Sequence, residues 1–178
     1  MRTAAINTSL DSDGLVEVRR LLSSEAQIYD LETYQPANSV RQLMYRVRAA
    51  HMNALDGVLA KNPDLAPLEI SAAQYVVISV LAKSKCVDSA SQLCKDLSYD
   101  AGAMTRMVDR LEAKGLIGRR RCPDDRRLVN LELTEVGLAA LPKLRECSVR
   151  VLNHFLRGFT QGEARQLESF LSRMLQNV

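Results

Sequence analysis

A helix-start pattern occurs four times in this chain and largely commits it to a helical plan. In each case a serine or threonine precedes a glutamine or glutamate by three residues, and an apolar run at helical spacing follows. The four pairs are Ser39/Gln42, Ser71/Gln74, Ser89/Gln92 and Thr160/Glu163. This is the capping box, in which the two side chains satisfy free amide groups of the first helical turn. The sequence therefore predicts a helix at each of these points.

The region after residue 98 adds a further helix and then a change of period. A helix is expected from about Ser98 or Tyr99 to Lys114, where Gly115 can supply a left-handed cap. Alternation then predicts strands at 117–121 and 129–133, joined by the turn-forming run Cys-Pro-Asp-Asp-Arg-Arg. The result is a β-hairpin of the kind called a wing.

The two ends of the chain are predicted to be helical as well. A short amphipathic helix is expected near 15–22, and a long helix is expected to begin at Thr134. Pro142 lies too far inside that long helix for a first turn, so it should kink or split it. The terminal helices have more apolar surface than a small winged domain can bury, and a second subunit is the simplest cover.

Composition fits this plan. The 178 residues are 47% apolar, 25% charged and only 4% aromatic, with no tryptophan, which is typical of a soluble, helix-rich globular protein. The sequence lacks an apolar run long enough for a bilayer span and a signal-peptide pattern at its start, so we expect a cytoplasmic protein without a membrane partner. The expected fold class is mainly α (α+β).

The positive charge is concentrated in one part of the chain. Residues 83–127 have 11 lysines and arginines against 7 acidic residues, whereas the whole chain has a net charge of only +3. Within that part, 114–127 has six basic residues against Asp124 and Asp125. Such a patch can neutralise phosphates, although a solvated charged hairpin is the simpler alternative.

The predicted helix before Gly115 has two distinct sides. Met104, Met107, Val108 and Leu111 fall on one side and should face the core. The opposite side presents the candidate DNA contacts Ala101, Gly102, Thr105, Arg106 and Arg110. Small residues near the start of a helix allow close approach to a major groove, where arginine can reach guanine or phosphate. Gly102 is alternatively a merely tolerated surface glycine.

The wing supplies a second set of candidates. An arginine at the tip of a two-stranded hairpin can enter a narrow minor groove, and Arg126 and Arg127 are placed to do so. Asp125 cannot approach phosphates favourably alone, so we expect it to orient a neighbouring arginine through a charge-assisted pair.

Residues 68–141 resemble the MarR family of bacterial regulators, and the resemblance extends more loosely over 38–176. The matching segments are Gln74-Tyr75, Met104 to Glu112, Lys114 to Ile117, Arg120 to Arg127 and Leu133 to Gly137. Their order and spacing make the match specific. The segment before Pro36 is not part of the family pattern.

The resemblance implies a triangular homodimeric winged helix-turn-helix protein that binds a pseudo-palindromic operator on double-stranded DNA. The helical pattern and the resemblance together predict a helical dimerisation region (38–70 and 134–178) and a DNA-binding domain (71–133), and the residues before them form an N-terminal extension (1–37) about which the resemblance implies nothing. By the same mapping, Asp125 and Arg127 match the family's wing motif. Many members repress transcription and release DNA when a small aromatic acid or phenolic effector binds.

The family's effector pocket lies between the dimerisation and DNA-binding lobes, and it implies four candidates here. They are Arg48, His51, Met52 and Tyr75. His51 falls on an apolar stripe, so a hydrogen-bonded core histidine is the common alternative. Arg48 could clamp a carboxylate, or it could be a solvated or dimer-contact charge.

The sequence disfavours an enzyme and leaves two further functions as alternatives. An enzyme is disfavoured, because the two histidines lie about a hundred residues apart and no nucleophile, phosphate-loop or dinucleotide motif is present. We expect no catalytic residue, metal or cofactor. Cys122 beside Arg121 could make the chain a thiol-based redox-sensing regulator, or it could be incidental. A wing used only for protein contacts is disfavoured by the retained arginines.

Overall fold

The computed structural model describes residues 28–83, 90–97, 99–121 and 129–177. Within them the chain forms helices and one two-stranded antiparallel sheet, in the predicted order. The elements are α1 (Val40–Lys61), α2 (Ala72–Lys83), α3 (Ala90–Leu97), α4 (Ala101–Ala113), β1 (Ile117–Arg121), β2 (Val129–Leu133), α5 (Glu135–Phe155) and α6 (Gln161–Leu175). The helix expected near 15–22 lies outside the described residues.

The chain divides into two compact units, Met1–Met44 and Tyr45–Val178. The three-part division expected from the sequence follows function rather than compactness, and it stays a prediction. No helix in the described ranges is both long enough and apolar enough to span a membrane.

The capping boxes explain where three of the helices begin. Thr160 and Glu163 form the complete reciprocal pair at α6. Ser71 accepts from the Gln74 amide at 3.2 Å, and the Gln74 side chain accepts from the Ser71 amide at 3.1 Å, before α2. At α1, Ser39 accepts from the Gln42 amide at 3.4 Å. Ser89 lies outside the described residues.

The core of the second unit is made by one face of each of the helices α1 to α5 and by the hairpin. Helix α2 packs on α5 and β2, α3 packs on α4, and α4 packs on β1. The fully buried side chains include Leu55, Leu59, Val77, Ile78, Leu93, Met104, Val108, Leu111, Leu116, Ile117 and Leu144. This continuous apolar core holds the helix-turn-helix and the hairpin as one body.

The start of α5 locks the hairpin to the end of α4. Thr134 caps α5 by accepting from the Gly137 amide at 3.1 Å, and its hydroxyl donates to the Gly115 carbonyl at 2.6 Å. Gly115 has a φ of +66°, which favours glycine. A Cβ on Gly137 would lie 2.1 Å from the Leu116 carbonyl oxygen. Two of the segments that carry the family resemblance, Lys-Gly-Leu-Ile at 114–117 and Leu-Thr-x-x-Gly at 133–137, therefore meet here.

Of the expectation that Pro142 kinks or splits the long helix, the split is wrong and the kink stays a prediction. Helix α5 runs unbroken from Glu135 to Phe155 with Pro142 inside it. Proline removes only the hydrogen bond to the carbonyl of Leu138, and both residues lie on an exposed part of the helix where water can bind that oxygen. Leu141 and Leu144 remain buried and hold both halves on the core.

Candidate nucleic-acid interface

The start of helix α4 is set by Asp100. Its carboxylate accepts from the Ala103 amide at 2.9 Å, and the helix begins at Ala101. The sequence predicted an earlier start, at Ser98 or Tyr99. The acidic cap moves the first turn, because aspartate bonds the free amides there in an extended conformation.

Helix α4 has the two faces that the sequence predicted. Met104, Val108 and Leu111 are buried, and Met107 is partly buried against them. Ala101, Gly102, Thr105, Arg106 and Arg110 are all exposed. One side of α4 is therefore fixed to the core, while the candidate DNA contacts point to solvent together.

Gly102 lies under the side chain of Arg106. A Cβ at this position would be 3.4 Å from Nη1 of Arg106 and 3.2 Å from Oδ1 of Asp100. The Thr105 hydroxyl donates to the Ala101 carbonyl at 2.9 Å on the same turn. The missing side chain leaves room for the guanidinium over the first turn of α4, and the sequence alone does not indicate this role of Gly102.

Arg119 joins the base of the wing to helix α4. Its guanidinium donates from Nη2 to Asp109 at 2.6 Å and from Nη1 to Glu112 at 2.5 Å. The hydrogen bond to Asp109 is the main cause of a raised pKa at Arg119. Sequence reasoning missed this contact, although acidic residues three apart on a helix followed by an arginine-rich strand were a usable signal. The direction of β1 is thereby tied to that of α4.

Lys114 attaches the other end of α4 to the start of α2. Its ammonium group donates to the carbonyl of Glu69 at 2.5 Å and to Oε1 of Gln74 at 3.3 Å. Gln74 is only 6% exposed. The sequence marked Lys114 only as part of a basic patch, but the structure gives it a positioning role.

The strands of the wing pair in the register Ile117 with Leu133 through Arg121 with Val129. The wing tip, with Cys122, Asp125, Arg126 and Arg127, lies outside the described residues. Its DNA-contact and redox hypotheses therefore stay predictions. Of the described cysteines, Cys94 is partly buried and Cys147 is buried, and both are free thiols.

The effector candidates on α1 share one helix face. Arg48 is exposed, whereas His51 and Met52 are partly buried one turn later. The His51 ring contacts the Phe155 ring edge-to-face, with centroids 5.6 Å apart. Within the described part of the chain, the His51 ring has no hydrogen-bond partner, so the structure gives no support to the hydrogen-bonded core histidine. Tyr75, on α2, is partly buried against the same core as Met52.

A separate open cavity of about 430 Å³ lies between the end of α1 and the start of α2. Its lining is Asp56, Leu59, Ala60, Leu65, Ala66, Glu69, Ile70 and Ser71. None of the four effector candidates lines it, so it is not the pocket expected from the sequence.

A helix-turn-helix pair followed by an anchored antiparallel hairpin defines a winged helix-turn-helix protein. Residues 70–129 match the model of the MarR family. The multiple antibiotic resistance protein MarR of Escherichia coli K12 is 36% identical over 115 residues, which are 64% of this chain and 79% of that protein. This chain belongs to the MarR family of transcriptional regulators.

Solved structures agree with this assignment. Apo wild-type MarR from Escherichia coli is 30% identical with a TM-score of 0.63, covering 77% of this chain and 97% of that one. A mutant of the same protein in complex with operator DNA is 29% identical with a TM-score of 0.66, covering 80% and 99%. Bordetella bronchiseptica BpsR, whose DNA binding is regulated by 6-hydroxynicotinic acid, shares the fold with a TM-score of 0.67. It is 22% identical, and the match covers 79% of this chain and 96% of that one. The predicted fold class and family are confirmed.

Proposed function

We propose that this protein is a homodimeric repressor that binds a pseudo-palindromic operator and releases it when a small aromatic or phenolic ligand binds. The observation that carries the proposal is the exposed face of α4, where Gly102, Thr105 and Arg106 stand together above a buried opposite face. The related Escherichia coli protein was solved with operator DNA.

Helix α4 is suited to a major groove. Its first turn presents only the small residues Ala101 and Gly102, so the backbone can come close to the bases. Thr105 and Arg106 follow one turn later, and Arg106 can make a bidentate contact to guanine or reach a phosphate. Arg110, a further turn along, is placed for the phosphate backbone.

The wing would make the second contact. Arg119 holds β1 against α4 through Asp109 and Glu112, so the hairpin leaves the core in a fixed direction. Arg126 and Arg127 at its tip are proposed to enter the minor groove, where a narrow A·T-rich groove concentrates negative potential. Asp125 is proposed to orient one of them.

Pairing of two chains would set the spacing of the two recognition helices. Helix α6 exposes an apolar stripe made of Leu167, Phe170, Leu171 and Met174, each at least 36% accessible. A stripe at this helical spacing is stable in water only when another surface covers it. A twofold dimer would place two α4 helices on half-sites one DNA turn apart.

The effector site is proposed on the α1 face with Arg48, His51 and Met52, together with Tyr75. Arg48 is exposed and can form a bidentate pair with a ligand carboxylate. An apolar and aromatic surface follows Arg48 one turn later on α1. It is made by Met52 and by the His51 ring, which contacts the ring of Phe155.

DNA binding is tested with the promoter region of the protein's own gene, at two salt concentrations. We expect the logarithm of affinity to fall steeply with that of salt, as phosphate contacts require. Arg106→Ala and Arg127→Ala should each weaken specific binding by about 1–3 kcal/mol, with the dimer intact. Arg145→Ala, at an exposed arginine on α5, is the matched control. The proposal would be refuted if the affinity depended neither on salt concentration nor on base sequence and if both substitutions left it unchanged.

The dimer and effector claims have their own tests. Removal of residues 160–178 should give monomers or insoluble protein, and a well-folded dimer after this truncation would refute the assigned interface. Hydroxybenzoic and 6-hydroxynicotinic acids should raise the melting temperature and release DNA. Arg48→Met should reduce both responses without changing operator affinity. Responses unchanged by this variant would remove Arg48 from the site.

A further inference from the structure

A short turn precedes α1 and is ordered by polar bonds rather than by a core. The carboxylate of Asp30 accepts from the amides of Glu32 and Thr33, both at 2.9 Å, and from the Thr33 hydroxyl at 2.5 Å. The Tyr34 amide donates to the Asp30 carbonyl at 2.9 Å. Residues 28–34, which we call the acidic turn, therefore have a defined shape.

The acidic turn is attached to the start of α1. The rings of Tyr29 and Tyr34 meet edge-to-face with centroids 5.4 Å apart. The backbone amide of Val40, the first residue of α1, donates to the Tyr29 hydroxyl at 3.0 Å. Because this bond satisfies a free amide of the first helical turn, the turn and the helix start are held together.

Two large apolar side chains of the acidic turn are not covered by any of the residues that the structure describes. Ile28 is 90% exposed and Leu31 is 98% exposed. On the first turns of α1, Val40, Leu43 and Met44 are also 42–48% exposed. Single exposed apolar residues are common, but this many on one short ordered segment indicate a surface that another molecule covers.

The charges on these elements select the kind of molecule. Asp30 and Glu32 make the turn acidic, which disfavours contact with the phosphates of DNA. The N-terminal half of α1, residues 40–50, has three exposed arginines and no acidic residue; they are Arg41, Arg46 and Arg48. The same half exposes Val47, which extends the apolar stripe of Val40, Leu43 and Met44 by one turn.

We propose that the acidic turn of one copy packs on the N-terminal half of α1 in a second copy. Ile28 and Leu31 cover its apolar stripe, and Glu32 faces Arg41 and Arg46. The structural match to Escherichia coli MarR covers 97% of that chain but 77% of this one, and the sequence resemblance starts only after the turn, near residue 38. The turn is therefore a dimer contact added to the family fold, and the inference rests on the proposed homodimer.

The test is the dimer dissociation constant of the full chain, measured by sedimentation equilibrium. The double variant Ile28→Ser with Leu31→Ser should raise this constant by about tenfold or more, since each side chain loses its burial. Ala113→Ser, at an exposed alanine at the end of α4 and outside the predicted dimerisation region, is the control and should leave it unchanged. Glu32→Lys should weaken the dimer at low salt and much less at high salt.

The outcomes separate this inference from the proposed function. A wild-type chain that is monomeric would defeat both. A wild-type dimer whose dissociation constant is unaffected by the double variant would overturn only the inference. A double variant that is less stable than wild type at concentrations where both are monomers would show that the chain covers these residues itself, and would also overturn it.

Discussion

Arg119 on strand β1 donates to the carboxylate of Asp109 on helix α4 across 2.6 Å. The same guanidinium donates to Glu112 one helical turn further on. One side chain thus connects the two elements that are proposed to enter adjacent grooves of DNA. Because the guanidinium is planar, its two bonds to two carboxylates on α4 fix the orientation of the side chain as well as its distance from the helix.

Replacing Arg119 with methionine should loosen the wing more than it destabilises the fold. Arg119 is 39% exposed, so its coupling with Asp109 in a double-mutant cycle should be only about 0.5–1 kcal/mol by urea unfolding. Operator affinity should fall several-fold in a fluorescence titration. Arg120→Met, which removes a more exposed pair with Glu132, is the control for stability. Equal loss of stability in both variants would argue against a special role for Arg119.

The glycine of the Leu-Thr-x-x-Gly segment should be intolerant of any side chain. In Gly137→Ala the new Cβ would meet the Leu116 carbonyl oxygen at 2.1 Å, and backbone cannot yield as a flexible side chain can. We expect a loss of about 3 kcal/mol in the free energy of unfolding.

Gly57→Ala is the matched control in the middle of α1. Its Cβ would meet nothing within 4 Å, so alanine should stabilise the helix by about 0.5–1 kcal/mol. Thermal unfolding of both variants decides the matter. A Gly137→Ala protein as stable as wild type would show that the α5 start can shift away from Leu116.

Lys114→Met should destabilise the protein and weaken operator binding together. The variant removes the donor to the Glu69 carbonyl and to Gln74, which joins the end of α4 to the start of α2. We expect a loss of about 1.5 kcal/mol in the free energy of unfolding by urea, the lower end of the range for a hydrogen bond from a charged group. Lys143→Met, which removes an exposed pair with Glu146, should cost less than about 0.5 kcal/mol. If the two lysine variants were indistinguishable, the anchoring role of Lys114 would be wrong.

The capping box of α6 should make the start of this helix sensitive to acid. Hydrogen bonds from the Thr160 amide and hydroxyl lower the pKa of Glu163 below its ordinary value of 4.5. Because the folded pKa lies below the unfolded one, the stabilisation is present above about pH 4.5 and is lost as pH falls through the folded pKa.

The unfolding free energies of wild type and Glu163→Ala should therefore differ at neutral pH and converge in acid. Glu163→Gln keeps an acceptor that does not titrate, so its cap should persist as pH falls. The measurement is chemical unfolding at a series of pH values. A difference between wild type and Glu163→Ala that stayed constant down to the acid limit would contradict the assignment.

The sequence was informative wherever the cause of structure is local. Capping pairs depend on residues three apart, and the two faces of α4 depend on positions three and four apart. For that reason the helix starts at Ser71 and Thr160 and the exposure of Thr105 and Arg106 could be predicted. Pro142 shows the limit of local reasoning, since burial of its neighbours on the core outweighs the missing hydrogen bond.

Contacts between distant positions required the tertiary structure. Lys114 reaches a carbonyl 45 residues earlier, His51 meets the ring of Phe155, and Gly137 leaves space for Leu116. No periodicity or spacing specifies such pairs, because they depend on how whole elements pack. The sequence by itself determined the order of the helices, the hairpin and which face of α4 is exposed. The tertiary structure determined which contacts hold these elements in place, because only the packing of whole elements brings side chains from distant positions within bonding distance.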